Sequence, residues 1–440
     1  MRRRTIRTGA ALGAGALLLT GCLSEGGDSA AGGGDQSGGE GDGTVEIFGA
    51  FTDAEEDAFN ESLASFEEES GIDVQYTGTG DFDTLIRTRV QGQDAPDIAL
   101  FPQPGVLLEL AGGGSVVPLE DVVDVPALEE TLIPGFLDAA TGDDGTVYAA
   151  PMRMAVKSLV WHPAPEFDEA GYTVPENHDQ LMALTEEIAG TGTPPWCLGM
   201  ESAQATGWVA TDWIEEYVLR IGGPEFYDQW VNHEVPFNDP VVVQAGELFQ
   251  NIWQPDGYVR GGPQAILRTQ FGESANPMFS DPPGCFMHKQ GNFITGFFPA
   301  AVQEDLAANT GLFVLPPVAD GYDGQPILGG GDLAAAFSTD SDTVQVMEFL
   351  TSDGFGGEWA SAGGWLSPHT TFDSSLYPDE ITRDIAAIAA EADVFRFDGS
   401  DLMPASVGAG TFWTGMVEWI SGSKDLEQVL TEIEQSWPAS

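Results

Sequence analysis

An α/β fold, with a parallel sheet covered by helices and the chain divided between two domains, is predicted by three observations. The stretch from Thr44 to Phe101 alternates strand-like and helix-like patterns. The roughly 400 residues that follow the N-terminal region exceed what one core comfortably holds. Hydrophobic residues make up 42% of the chain and aromatic residues 10%, ample material to bury.

The elements follow in order. Thr44 to Phe48 is a short β-type run; Asp53 to Ser70 carries helical periodicity through Phe59, Leu63 and Phe66 behind an acidic start. Ile72 to Tyr76 is strand-like, Asp81 to Val90 reads as helix, and Ile98 to Phe101 as a buried strand after Ala95-Pro96-Asp97. Such β-α-β-α-β alternation favours parallel pairing, and ligands of parallel sheets sit beyond the carboxyl ends of the strands. Those ends carry Gly49, Phe51 and Thr52, then Thr77 to Phe82, then Phe101, Pro102 and Gln103.

Upstream, Arg2, Arg3, Arg4 and Arg7 precede an apolar run from Gly9 to Leu19. The run is too short to cross a bilayer, which takes about 20 residues, so 1–21 is expected to be an export signal. It ends in Leu19-Thr20-Gly21-Cys22, which resembles the lipoprotein signal of bacteria, in which the Cys takes acyl chains. An ordinary secretory signal with a chance Cys is the other reading. The arginines also hint at twin-arginine export, although Arg7 interrupts the apolar positions of that route. Residues 22–43, acylated Cys22 and then mostly Gly, Ser, Ala, Asp and Glu, are expected to form a disordered tether to the outer face of the cell membrane.

The formal net charge is −55, with 70 carboxylates against 15 basic residues, only three of them lysines (Lys157, Lys289, Lys424). Such a field repels phosphate backbones and anionic headgroups, so nucleic acid is excluded as a partner and the membrane is reached through the lipid alone. A solvated acidic coat suits a high-salt habitat, where screening relieves self-repulsion; an acid-rich lineage is the alternative. Cys197 and Cys285 form an even pair in an exported chain and are expected to be disulfide-bonded. The five histidines are scattered without zinc-ligand spacing, so neither metal nor cofactor is expected.

The ordered set of motifs resembles a known family. Val45-Glu46-Ile47-Phe48, Phe66 to Val74 and Ala95-Pro96-Asp97-Ile98-Ala99 are similar to the start of the family 1 extracellular solute-binding proteins, the receptors of ATP-driven importers. Tyr148 to Pro151 with Lys157 to Trp161, and Leu315-Pro316 with Gly329 to Asp332, resemble that family's crossovers between lobes. Phe395 to Pro404 and Gly410-Thr411-Phe412-Trp413 are similar to its C-terminal region. Pro195-Trp196-Cys197, Ala205 to Trp208, Thr211 to Glu215 and Phe279 to Cys285 resemble the α-glucoside-binding branch. The resemblance implies a periplasmic-binding-protein-like fold of two α/β lobes, 44–152 with 326–375 and 153–325 with 376–440, that close on a carbohydrate in the cleft. It also implies a monomer that delivers its ligand to two permease subunits of an ABC transporter.

A sugar offers apolar C–H faces and a rim of hydroxyls, so its site needs aromatic plates and a few charged or amide groups. Trp413 matches an aromatic that stacks on sugar in maltodextrin-binding relatives; a helix-core Trp is the plain alternative. Phe293 falls where relatives place a cleft Trp, and Phe51 and Phe101 follow strand ends; each could equally be core. Trp208 follows Gly207, where a missing Cβ would let a ligand approach the backbone. Asp332, Asp81 and Asp401 could accept sugar hydroxyls or simply cap turns and helices. Arg153 could bridge ligand and lobes, and Lys157 could instead pair with a buried carboxylate. Two further functions stay open: binding of another small solute such as an osmolyte, and an anchored glycoside hydrolase, whose carboxylate pair an acidic chain supplies by chance. There is no nucleophile elbow and no metal-ligand helix, and Gly329-Gly330-Gly331 lacks the Lys-Ser/Thr of a phosphate loop.

Overall fold

The computed structural model describes residues 39–438 apart from positions 134, 143 and 393; the expected signal, Cys22 and most of the tether lie outside them. Nine strands are described: β1 (Thr44–Gly49), β2 (Asp73–Gly78), β3 (Ile98–Phe101), β4 (Ala150–Val156), β5 (Leu159–Pro163), β6 (His288–Lys289), β7 (Thr310–Val314), β8 (Ile327–Ala336) and β9 (Phe395–Phe397). They form a six-stranded sheet in the order β2-β1-β3-β8-β4, with β9 alongside β8, and a three-stranded sheet β6-β5-β7.

The opening alternation folds as its pattern predicts, with β1 parallel to both β2 and β3 and the helices Ala54–Ser70 and Phe82–Gln91 between them. The sheet as a whole is mixed rather than parallel. β8 runs antiparallel to β3 and β4 because the chain re-enters this sheet from the other lobe instead of through a local helix.

Strand periodicity sorts side chains between layers. Val45, Ile47, Ile98 and Leu100 enter one core with Phe59 and Leu63, whereas Phe48, Ala99 and Phe101 enter the core on the opposite face with Phe82, Val106 and Leu107. The second lobe is built round the helix Trp208–Val231, whose Trp213 and Tyr217 pack with Trp196, Phe249 and Trp419. β5 lies between cores, giving Leu159 and Trp161 to the first and Val160 to the second.

The crossovers run side by side and are tied at Ser158. Its carbonyl accepts from Leu315 N at 2.8 Å and its Oγ from Leu328 N at 2.8 Å. The expected lobe boundaries 152/153 and 325/326 fall inside β4 and just before β8. At the third, 375/376, the core does not change: β9 pairs with β8 in the large sheet, and the Phe395 ring lies 5.3 Å from that of Phe136, tilted against it. Ile294, Phe298 and Val302, expected in the second lobe, also join the first core. The end of the expected tether is tied down, with Gly41 N donating to Ser341 Oγ at 3.0 Å and Gly43 N to Asp342 Oδ2 at 2.8 Å. Cys197 and Cys285 are joined in a disulfide with Cα atoms 5.5 Å apart.

Candidate functional site

Loops at the carboxyl ends of β1, β2 and β3 bring Phe51, Gly80 and Gln103, with Glu55 from the first turn of the helix Ala54–Ser70, to one side of a cavity of about 440 Å³. The far wall is made by Glu201, Ser202, Ala203, Ala205, Trp208, Gln270, Phe271, Phe293 and Asp401, and the floor by β4 and β8. On β4 the alternation puts Met152, Met154 and Val156 into the core and leaves Arg153, Ala155 and, just past the strand, Lys157 facing the cavity.

Both cations are caged. Arg153 donates from Nε to Asp332 Oδ2 at 2.6 Å and from Nη1 to Glu55 Oε1 at 2.5 Å, and its guanidinium lies 4.5 Å from the centre of the Phe51 ring. Burial opposes its charge, but the two carboxylates outweigh burial and raise its pKa. Glu55 is shifted upward by burial in spite of Arg153.

Lys157 Nζ lies 2.5 Å from Asp398 Oδ2, 3.2 Å from Asp212 Oδ1 and 3.9 Å from Asp401 Oδ2. These carboxylates overcome its burial and hold it well above the usual lysine range. Asp398, buried but facing Lys157, is held below the carboxylate range. Asp401 and Glu215 are raised well above it by burial and by the charge of Asp398. The cavity is therefore lined by five carboxylates and two cations, and each cation contacts at least two carboxylates.

The aromatic wall is a cluster. The Trp208 ring stands 5.3 Å from Phe271 and 6.0 Å from Phe293, inclined to both, and its Nε1 donates to Ser202 Oγ at 3.0 Å. Phe51 also reaches the cavity, but Arg153 covers one part of its ring and the edge of Trp359, 5.3 Å away, another.

Of the residues singled out from sequence, Phe51, Arg153, Trp208, Phe293, Asp332 and Asp401 line the cavity together. Asp81, Phe101 and Trp413 are not among its lining. Phe101 is completely buried between Phe82 and Phe337, because its strand position faces the core and only Pro102 and Gln103 turn outward. Asp81 precedes the helix Phe82–Gln91 without capping it. Trp413 is 3% exposed. The space left by the missing Cβ of Gly207, at φ +128°, is filled by the Trp413 backbone rather than left to a ligand.

Sequence reasoning did not single out Glu55, Glu201, Gln270 or Phe271. Glu55 had a signal, since a buried arginine requires carboxylate partners and the acidic start of the first helix offers one. Glu201 and Gln270, 69 positions apart, meet through an isolated β-bridge, which no local pattern announces.

The sequence profile described as bacterial extracellular solute-binding protein matches residues 52–356. The chain is 44% identical over 394 residues to the osmoprotective compounds-binding protein GgtB of Synechocystis sp., covering 90% of this chain and 92% of that protein. It is 37% identical over 400 residues to the alpha-glucosides-binding periplasmic protein AglE of Rhizobium meliloti, covering 90% and 87%. Among solved structures, the bacterial solute receptor AcbH superposes with a TM-score of 0.75 at 16% identity over 90% of this chain and 97% of that one. The GacH receptor of Streptomyces glaucescens does so with a TM-score of 0.68 at 16% identity over 89% and 96%.

Proposed function

Because this chain belongs to the bacterial extracellular solute-binding proteins, we propose that it captures an uncharged carbohydrate, an α-glucoside or maltodextrin-like sugar. It does so by closing its lobes about the Ser158 crossovers and hands the sugar to the permease of an ABC importer. The observation that carries this reading is the pairing of an aromatic wall, Trp208 with Phe271 and Phe293, with two cations already neutralised by carboxylates. Apolar sugar faces fit the rings, and hydroxyls find carboxylate and amide partners. An anionic ligand would meet Asp53 and Glu201 with no free cation to receive it among the described lining residues. The cavity volume suits a small glycoside.

The second reading, an osmoprotective small solute, is favoured by the 44% identity to GgtB. Both are capture without chemistry, as in the binding proteins this chain is similar to. The N-terminal Leu19-Thr20-Gly21-Cys22 supports lipid anchoring of the receptor outside the membrane, where the tether would keep it near its importer.

A thermal-shift screen over maltose, trehalose, longer glucans and small osmolytes tests the proposal. A neutral glucoside is expected to raise the melting temperature and to be recovered intact. If only osmolytes without a sugar ring do so, the second reading replaces the first. Release of free glucose from maltose would overturn both.

A further inference from the structure

The segment Glu201–Gly207 borders the cavity and also makes a contact that ligand recognition does not require. Thr84, exposed on the helix Phe82–Gln91 of the first lobe, donates its hydroxyl to Gln204 Oε1 at 2.6 Å, across 120 positions of sequence. Neither residue lines the cavity. Beside them, a Cβ on Gly80, in the loop that leads into that helix, would stand 3.5 Å from the methyl of Ala203, an ordinary van der Waals approach.

The segment holds a shape of its own. Ala203 has φ +50°, a left-handed conformation that residues with a Cβ rarely adopt. Three local bonds maintain it: Ala203 N donates to Glu201 Oε1 at 3.0 Å, Ser202 N donates to Thr206 Oγ1 at 3.0 Å, and the Thr206 hydroxyl donates to the Ala203 carbonyl at 2.7 Å. The hydroxyl of Ser202 meanwhile receives the indole N–H of Trp208.

We propose that Glu201–Gly207 is a closure strap: Gln204 latches the second lobe to Thr84 of the first, and Ser202 carries the Trp208 ring on the same strap. Latching and placement of the ring are thereby one movement. The inference rests on the cavity being a ligand cleft between lobes that open and close. Thr84 and Gln204 are positioning residues, which act on how long a ligand is held without touching it. Opening the cleft must break their hydrogen bond, whereas entry into the open cleft precedes its formation, so the latch slows release and leaves association unchanged.

The experiment has two arms. In the first, the release and association of maltose are followed by stopped-flow tryptophan fluorescence in wild type, Thr84→Ala, Gln204→Ala and the double variant. Each single variant is expected to release maltose about two- to fivefold faster, the range of one exposed hydrogen bond, with association and melting temperature unchanged and the double variant no faster than either single. Release at the wild-type rate in both single variants, or effects that add in the double, overturns the latch.

The second arm needs no sugar. Thr84→Cys with Gln204→Cys is treated with a short bismaleimide, with Thr84→Cys and exposed Thr414→Cys as the control pair. Preferential crosslinking of 84 to 204 supports the strap even if maltose does not bind, an outcome that would count against the sugar reading alone. Equal yields from the two pairs overturn the strap whatever the ligand.

Discussion

Arg153 Nε donates to Asp332 Oδ2 over 2.6 Å, joining β4 to β8 at the register where the two residues stand opposite each other. Glu55, from the first helix, completes the cage. A buried guanidinium between two carboxylates is a structural unit before it is a recognition group, and this separates two roles that sequence leaves merged.

Removing Arg153 should therefore damage the fold. Arg153→Met strands Glu55 and Asp332 in a buried site and is expected to cost about 3–5 kcal/mol in urea unfolding. Combining it with Glu55→Gln and Asp332→Asn should restore most of that loss. A single variant within 1 kcal/mol of wild type, roughly the size of an exposed pair, would show that the cage is not a stability element.

Two tryptophans should respond differently. Trp208 faces the cavity, so Trp208→Ala is expected to weaken binding of a neutral glucoside about tenfold or more, roughly 1.4 kcal/mol or above. Trp413 is buried against Gly207, so Trp413→Ala should cost about 3–5 kcal/mol of stability as a core truncation. Calorimetric titration and denaturant unfolding of both variants read the contrast; equal affinity losses without destabilisation would return Trp413 to the ligand.

Stability should peak in mildly acidic solution. Burial pushes His162 and His288 down to about 4 from 6.5, so the stability of keeping them neutral is full above 6.5 and lost as pH falls through 4. Burial raises Asp83 to about 6 and Asp212, despite Lys157, to about 8 from 3.8; their contribution is full below 3.8 and lost as pH rises through 6 and 8. A melting-temperature profile at constant ionic strength should thus form a dome between the two limbs. Asp212→Asn should flatten the alkaline limb above about pH 6.5, where Asp83 has already ionised, and an unchanged slope there would remove Asp212 as its cause.

The disulfide should be a large single contributor. Cys197 and Cys285 are 88 positions apart, and closing such a loop stabilises by about 4–5 kcal/mol in the chain-entropy account. Replacing both by Ala is expected to lower unfolding free energy by that order in denaturant titration. A change under 1 kcal/mol would place the stabilisation in the surrounding core instead.

Much of the first lobe was legible because its signals are local. Periodicity placed β1, β2, β3 and their helices to within a residue or two, and the position of strand ends pointed to Phe51 and the cavity rim. The same rule put Phe101 in the site, although the pleat turns that side chain into the core one residue before the chain reaches the cleft. Trp208 lines the cavity, but not through the open backbone expected at Gly207: that space admits the Trp413 backbone, a neighbour 206 positions away, rather than a ligand.

By itself the sequence determined the order of strands and helices in the first lobe, the acidic field, the pairing of Cys197 with Cys285 and the motif set of the family. Each is written in spacing or composition. Only the tertiary structure decided which carboxylates cage each cation: Glu55 and Asp332 reach Arg153 from 98 and 179 positions away, and Asp398 reaches Lys157 from 241. In a chain with 70 carboxylates, residue type cannot select a partner. Distance can, because the cost of burying a charge is offset only by a group within a few ångströms of it.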